Sequence, residues 1–130
     1  SGNDTLSGGT GANLLNGGDG NDTLAVGDGD ILNGDNGADT FDEGGAAQAE
    51  TIDGGAGTDT VDYSYRASAV DVSIGSGADD GEATEFDDIP ASIENVIGTP
   101  QADTLVGSTG GNLLAGGDGA DVLSGGVGAD

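Results

Sequence analysis

Cysteine, histidine, lysine, methionine and tryptophan are all missing from this 130-residue chain, and Arg66 is its single basic side chain. No disulfide can staple the fold, and no thiolate or imidazole can hold zinc. Most nucleophiles and general bases are missing too, so the chain is expected not to be an enzyme, with any catalysis left to another domain of a parent protein. Paired carboxylates can hydrolyse glycosides, yet nearly every aspartate here falls in a repeat or on a polar loop. Aromatic residues make up 3% and hydrophobic residues 33%, too thin for an ordinary core. No apolar run approaches the roughly 20 residues of a membrane-spanning helix, so membrane insertion is not expected, and no signal peptide is recognisable. With a single cation, the chain suits neither nucleic acid nor an anionic membrane.

What the chain does have is glycine and acid: 29 glycines, 25 acidic residues and a formal net charge of -24. Self-repulsion of that size opposes any compact state unless counter-cations enter it. Composition alone would describe a disordered chain. The order of the residues says otherwise. Gly17–Ala25 (GGDGNDTLA) reads Gly-Gly-x-Gly-x-Asp-x-U-x, where U is a large apolar residue, and the pattern returns at Gly54–Asp62 and Gly116–Ser124. The glycines Gly18, Gly20, Gly55, Gly57, Gly117 and Gly119 allow sharp turns that bring backbone carbonyls together. Each aspartate closes its turn with a hard oxygen ligand suited to Ca²⁺. The last three residues form a short strand whose alternation points U to one side. One apolar residue per unit cannot make a core, whereas stacked units bury a continuous ladder.

The acidic residue at the sixth place marks each unit. Markers fall at Asp4, Asn13, Asp22, Asp30, Asp39, Glu50 and Asp59, and resume at Glu94, Asp103, Asn112, Asp121 and Asp130. The matching U residues are Leu6, Leu15, Leu24, Leu32, Phe41, Ile52 and Val61, then Val96, Leu105, Leu114 and Leu123. Unit Val26–Asn33 is one residue short and Gly44–Asp53 one long, changes that loops absorb more easily than strands. If two units make one turn of a coil, alternate markers share an edge. One edge then carries Asp4, Asp22, Asp39, Asp59, Asp103 and Asp121, and should hold the more regular calcium row. The other carries Asn13, Asp30, Glu50, Glu94, Asn112 and Asp130. Its sites should be fewer or weaker, and Asn13 and Asn112 suit a calcium ligand and a locally bonded turn about equally.

The stretch from Asp62 to Ile93 breaks the period. Val70–Ile74 alternates like a strand, Gly75–Glu85 is an acidic loop, and Ile89–Ile93 leads back to the repeats. We read it as a hairpin-like excursion from the mixed edge that leaves Asp59 next to Asp103. Tyr63, Tyr65 and Phe86 are expected to pack it onto the coil, and Arg66 to pair with Asp62 or Asp71. The block Asp4–Leu24 recurs as Asp103–Leu123, which favours one interrupted solenoid over two domains. The organisation is therefore one domain over residues 1–130: a first repeat block 1–62, the insertion 63–93 and a second block 94–130. Lack of an initiator methionine and an end partway through a unit suggest a fragment of a longer protein.

At GGDGNDTL, GGAGTDTVDYS, IENVIGT and ADTLVG the chain resembles the RTX (repeats-in-toxin) family of secreted bacterial proteases, lipases, epimerases, haemolysins and adhesins, over close to its whole length. The resemblance implies an all-β fold, a parallel β-roll or right-handed β-solenoid with two nonapeptides per turn. It also implies calcium between successive loops, bound by backbone carbonyls and by aspartates of adjacent turns, and export through a type I secretion machinery with folding outside the cell. The chain departs from the family's pattern at Asp35, Ser108, the AAQAE loop and Thr99-Pro-Gln.

Extracellular calcium modules have Kd of about 10⁻⁴–10⁻³ M. At roughly millimolar calcium each site then adds about 0.4–1.4 kcal/mol, and roughly five to eight sites rival the stability of a small domain. The expected function is a calcium-binding structural module of a secreted bacterial protein, disordered without calcium and folding after export. The alternative is an adhesive surface for ice or glycan, suggested by an outward column of Thr5, Thr23, Thr40, Thr60 and Thr104. Leu14, Ile31 and Leu113 are expected outward on the opposite sheet.

Overall fold

A computed structural model describes residues 1–44 and 48–130, and every regular element among them is a strand. In chain order these are β1 (Thr5–Ser7), β2 (Leu14–Asp19), β3 (Thr23–Ala25), β4 (Ile31–Gly37), β5 (Thr40–Asp42), β6 (Thr51–Asp53), β7 (Ala56–Gly57), β8 (Thr60–Asp62), β9 (Asp71–Ser73), β10 (Asn95–Ile97), β11 (Thr104–Val106), β12 (Leu113–Ala115) and β13 (Val122–Ser124). Most are three residues long because each x-U-x segment is bounded by glycine turns. All named pairings are parallel, and apart from β7 consecutive strands alternate between two faces of a coil. One face is a six-stranded sheet, β1-β3-β5-β8-β10-β12. The other is in two pieces, β2-β4-β6 (with β7 beside β4) and β9-β11-β13. The chain is a parallel β-solenoid, as expected.

Register keeps U against U: Leu6 to Leu24, Leu24 to Phe41, Phe41 to Val61, and on the other face Leu15 to Leu32 to Ile52. The short unit Val26–Asn33 does not shift this register, so its missing residue is taken up in the turn. The AAQAE loop of the long unit lies in part outside the described residues. From Leu15 to Leu105 the U side chains are buried, each contributing roughly 1.5–3 kcal/mol. The end rungs are less covered, and Leu123 is 49% exposed.

The insertion sits elsewhere than expected. Val96 of β10 pairs with Val61 of β8, so the unit after the insertion returns to the six-stranded face directly beside the unit before it. Asp59 therefore neighbours Glu94, not Asp103. The insertion fills the opposite face instead. Asp88 bridges Thr51 of β6, and β9 pairs with β11. Two antiparallel bridges, Asp71 to Gly81 and Asp80 to Asp87, give it hairpin character. Its buried residues Tyr63, Val70, Val72, Ile74, Ile89 and Ile93 join the core. Counting in nines could not see this, because the insertion occupies the second face through segments that lack the repeat's glycines.

Other expectations change with it. The threonine column runs through Thr5, Thr23, Thr40 and Thr60, then continues as Asn95 and Leu113. Thr104 lies on the other face beside Asp71, and Leu113 is not on the face of Leu14 and Ile31. Tyr63 is fully buried, whereas Tyr65 and Phe86 are exposed and do not pack the insertion down. Arg66 reaches neither Asp62 nor Asp71. Its Nη2 donates to Glu43 Oε2 at 3.1 Å, its Nη1 donates to Glu85 and lies 3.7 Å from Glu82, and its guanidinium stands 5.6 Å from the Tyr63 ring centroid. A buried guanidinium needs several acceptors at once, and this pocket offers them.

Candidate metal centre

Most markers have their backbone N–H tied to the next turn by a carboxylate. The Asp4 N–H donates to Asp22 Oδ1 at 2.7 Å, that of Asp22 to Asp39 Oδ1 at 2.7 Å, that of Asp39 to Asp59 Oδ1 at 2.8 Å, and that of Asp59 to Glu94 Oε2 at 2.8 Å. Asn112 N–H to Asp130 Oδ1 at 3.0 Å ends this edge. The second edge repeats the device: Asn13 to Asp30 Oδ1, Glu50 to Asp87 Oδ1, Val70 to Asp103 Oδ1 and Asp103 to Asp121 Oδ1. The edges are therefore Asp4, Asp22, Asp39, Asp59, Glu94, Asn112 and Asp130 on one side, and Asn13, Asp30, Glu50, Asp87, Val70, Asp103 and Asp121 on the other. The expected all-aspartate edge is corrected: Asp103 and Asp121 exchange places with Glu94, Asn112 and Asp130. Charge-assisted bonds of this kind are roughly twice as strong as neutral ones.

The other carboxylate oxygen of each marker is the informative one. Asp22 Oδ2, Asp39 Oδ2 and Asp59 Oδ2 are buried and have no hydrogen-bond partner among the described residues. Three successive turns thus hold a row of buried, uncompensated oxygens, which is costly without a counter-charge. Burial, followed by the fields of neighbouring carboxylates, lifts Asp39 above its usual range and pushes Asp59 up to about 6.

Glycine makes the space beside these oxygens. A Cβ on Gly17 would lie 2.5 Å from Asp22 Oδ2 and 2.9 Å from the Gly34 carbonyl oxygen one turn on; one on Gly34 would collide with Asp39 Oδ2 and the Gly54 carbonyl. A free carboxylate oxygen and a next-turn carbonyl therefore flank the same small cradle. Hard oxygens of this type are what Ca²⁺ takes. The residues present fit that ion.

Gly18, Gly20, Gly55, Gly57, Gly117 and Gly119 all have left-handed φ, between 87° and 157°. Asp35 stands where the pattern has its second glycine and takes φ 71°, alone among the described non-glycine residues. At Gly20, Gly55, Gly57 and Gly119 a Cβ would run into the carbonyl of the adjacent turn, so glycine is required there by close approach as well as by φ.

Other markers spend both oxygens within the protein. Asp30 Oδ2 accepts from the Gly27 N–H at 2.9 Å, and Asp103 Oδ2 accepts from the Thr99 N–H at 2.6 Å. Asn13 donates through Nδ2 to the Gly8 and Gly11 carbonyls of its own turn. Asn112 Oδ1 accepts from Ser108, and its Nδ2 donates to the Glu94 carbonyl at 3.0 Å. Both asparagines are thus committed to closing and linking turns. Asp4 and Asp130 lie exposed at the two ends of their edge.

Asp87 is a marker that the sequence reading missed. Its signal was present as Asp87-Asp88-Ile89, an Asp-x-U triplet with Ile89 fully buried, but no glycine turn precedes it.

Stacked glycine turns with acidic, cation-sized cradles define a calcium-binding β-solenoid. The profile of the RTX calcium-binding nonapeptide repeat matches four copies, over residues 1–30, 45–63 and 97–130, and the chain belongs to that family. No curated protein sequence matches it significantly.

Proposed function

We propose that this chain is a folding module that calcium switches on outside the bacterial cell. The observation that carries the reading is the row Asp22, Asp39 and Asp59, each with one oxygen bonded to the preceding turn and one buried oxygen without a partner among the described residues. Calcium ions bound there join neighbouring turns and offset charge that otherwise repels. The three cradles on this row are the strongest sites; Asp103, whose oxygens are taken by Val70 and Thr99, contributes a weaker one. Because each ion bridges two turns, filling one site preforms the next.

Such a module exits through a type I secretion machinery unfolded and folds where calcium is roughly millimolar. It performs no catalysis itself and supports whatever domain accompanies it. The adhesive reading has less support, since the threonine column is four residues wide and then passes to Asn95 and Leu113. Far-UV circular dichroism during a calcium titration, with magnesium as control, tests the reading. A cooperative gain of β signal with calcium alone is expected; a full β spectrum already present in EGTA overturns it.

A further inference from the structure

Three acidic side chains from separate parts of the chain meet inside the protein: Glu50 and Asp87, neighbouring markers of the second edge, and Glu43, which is not a marker. Glu43 follows β5, Glu50 precedes β6, and Asp87 belongs to the insertion. All three are buried, at 0%, 2% and 0% exposure, and one carboxylate oxygen of each lies within 4.8 Å of the others. We propose that Glu43, Glu50 and Asp87 form a separate calcium site that fastens the insertion to the solenoid.

The geometry suits one ion. Two oxygens on the same calcium stand no farther apart than about 5 Å, twice the bond length of roughly 2.3–2.6 Å. Each carboxylate also has an oxygen to spare. Glu43 Oε2 accepts from Arg66 at 3.1 Å, and Glu43 Oε1 has no partner among the described residues. Glu50 Oε1 accepts from the Gly29 N–H at 3.0 Å, and Glu50 Oε2 likewise has none. Asp87 Oδ1 accepts from the Glu50 N–H at 3.1 Å, while its Oδ2 has only the long 3.4 Å bond that the Tyr63 hydroxyl donates. One set of oxygens holds the fold together, and Glu43 Oε1 and Glu50 Oε2 are left buried without a donor among the described residues.

The charge balance points the same way. Arg66 is the only basic side chain of the protein, and it already serves Glu85 and Glu82 besides Glu43. One guanidinium cannot neutralise that many carboxylates in a buried place, and a divalent ion supplies the missing charge. The turn sites need glycine cradles and next-turn carbonyls. This one is built from side chains, and two of them, Glu43 and Asp87, lie outside the nonapeptides.

Terbium, a calcium substitute whose emission is excited through a nearby tyrosine, provides the test on the whole chain. Tyr63 touches the proposed site, Tyr65 is exposed, and there is no tryptophan to compete. Tyrosine-excited terbium emission is expected, displaced by calcium, lost in Tyr63→Phe and kept in Tyr65→Phe. Glu43→Gln, which keeps an acceptor for Arg66, should weaken the terbium binding that this emission reports by roughly 10-fold or more. The circular dichroism titration reads the folding role independently of this emission, so this proposal and the folding role fail separately. Emission absent from the folded wild type overturns the site. So does emission unchanged in Glu43→Gln, the outcome if Glu50 and Asp87 merely share a proton. Should Glu43→Gln not fold in calcium, Asp87→Asn takes its place with the same two outcomes.

Discussion

Asp39 gives its backbone N–H to Asp59 Oδ1 at 2.8 Å, one turn of the coil away, and Asp59 Oδ2 stays buried without a partner among the described residues. The bond sets the spacing of the turns, and the free oxygen fixes the cost of that spacing when no cation is present. Folding and ion binding are thus joined in one carboxylate.

Asp59→Asn separates the two roles. The amide oxygen can still accept from Asp39, but the negative charge beside the cradle is gone. In excess calcium the variant should be less stable than wild type by roughly 1–3 kcal/mol, in line with loss of a bond to a charged group. In EGTA it should be no less structured than wild type, because a buried charge has been removed. Chemical denaturation at the two calcium levels checks both; equal destabilisation in both would mean that the carboxylate serves the fold alone.

Glycine substitutions should rank by what lies above them. Gly18 and Gly20 both have left-handed φ, 97° and 132°, but a Cβ on Gly18 meets nothing within 4 Å. One on Gly20 would collide with the Gly2 carbonyl. Gly18→Ala should therefore cost only backbone strain, about 1–2 kcal/mol. Gly20→Ala should cost more, since neighbouring turns must part. Thermal melts in saturating calcium give the order, and equal losses would mean that the turns are not closely stacked in solution.

Without calcium, acid should favour folding. Burial raises Asp59 to about 6, Asp80 to about 7, Glu43 to about 8 and Glu50 to about 9. Their ordinary values are 3.8 for aspartate and 4.5 for glutamate, so between these limits the folded chain holds protons that the unfolded chain releases. Stability from this source is fully present below the ordinary values and is lost as pH rises through the folded ones. The chain in EGTA should show more β signal at pH 5.5 than at pH 8, and calcium affinity should run in the opposite direction. A circular dichroism signal in EGTA that does not change with pH would contradict the burial of these groups.

The solenoid was legible because its code is local. Nine residues suffice to specify a turn, a marker and a buried U, and Leu24, Phe41 and Val61 fell into register as their spacing required. Edge membership was not local. It depended on which face the insertion occupied, and that was settled by Val72 and Ile89 entering the core and by Asp87 taking a marker's place without the glycines that announce one. Glu43 gave no signal in the sequence, since its role comes from long-range proximity to Arg66, Glu50 and Asp87.

Arg66 offers the sharpest test of how the insertion is held. Its side chain is nearly inaccessible, its Nε–H donates to the Glu43 carbonyl at 2.5 Å, and its guanidinium serves Glu43 from the first repeat block and Glu85 from the insertion. Arg66→Met would keep much of the apolar stem but leave those carboxylates buried and unpaired, a loss of roughly 3–5 kcal/mol. Among the described residues the repeats give Arg66 no other hydrogen bond or ion pair, so the damage should be confined to the insertion and the rungs it touches. Hydrogen exchange in saturating calcium should show faster exchange at Val72 and Ile74, with Leu24 and Leu32 still protected. Uniform loss of protection along the whole coil would mean instead that the insertion and the repeats unfold as one unit.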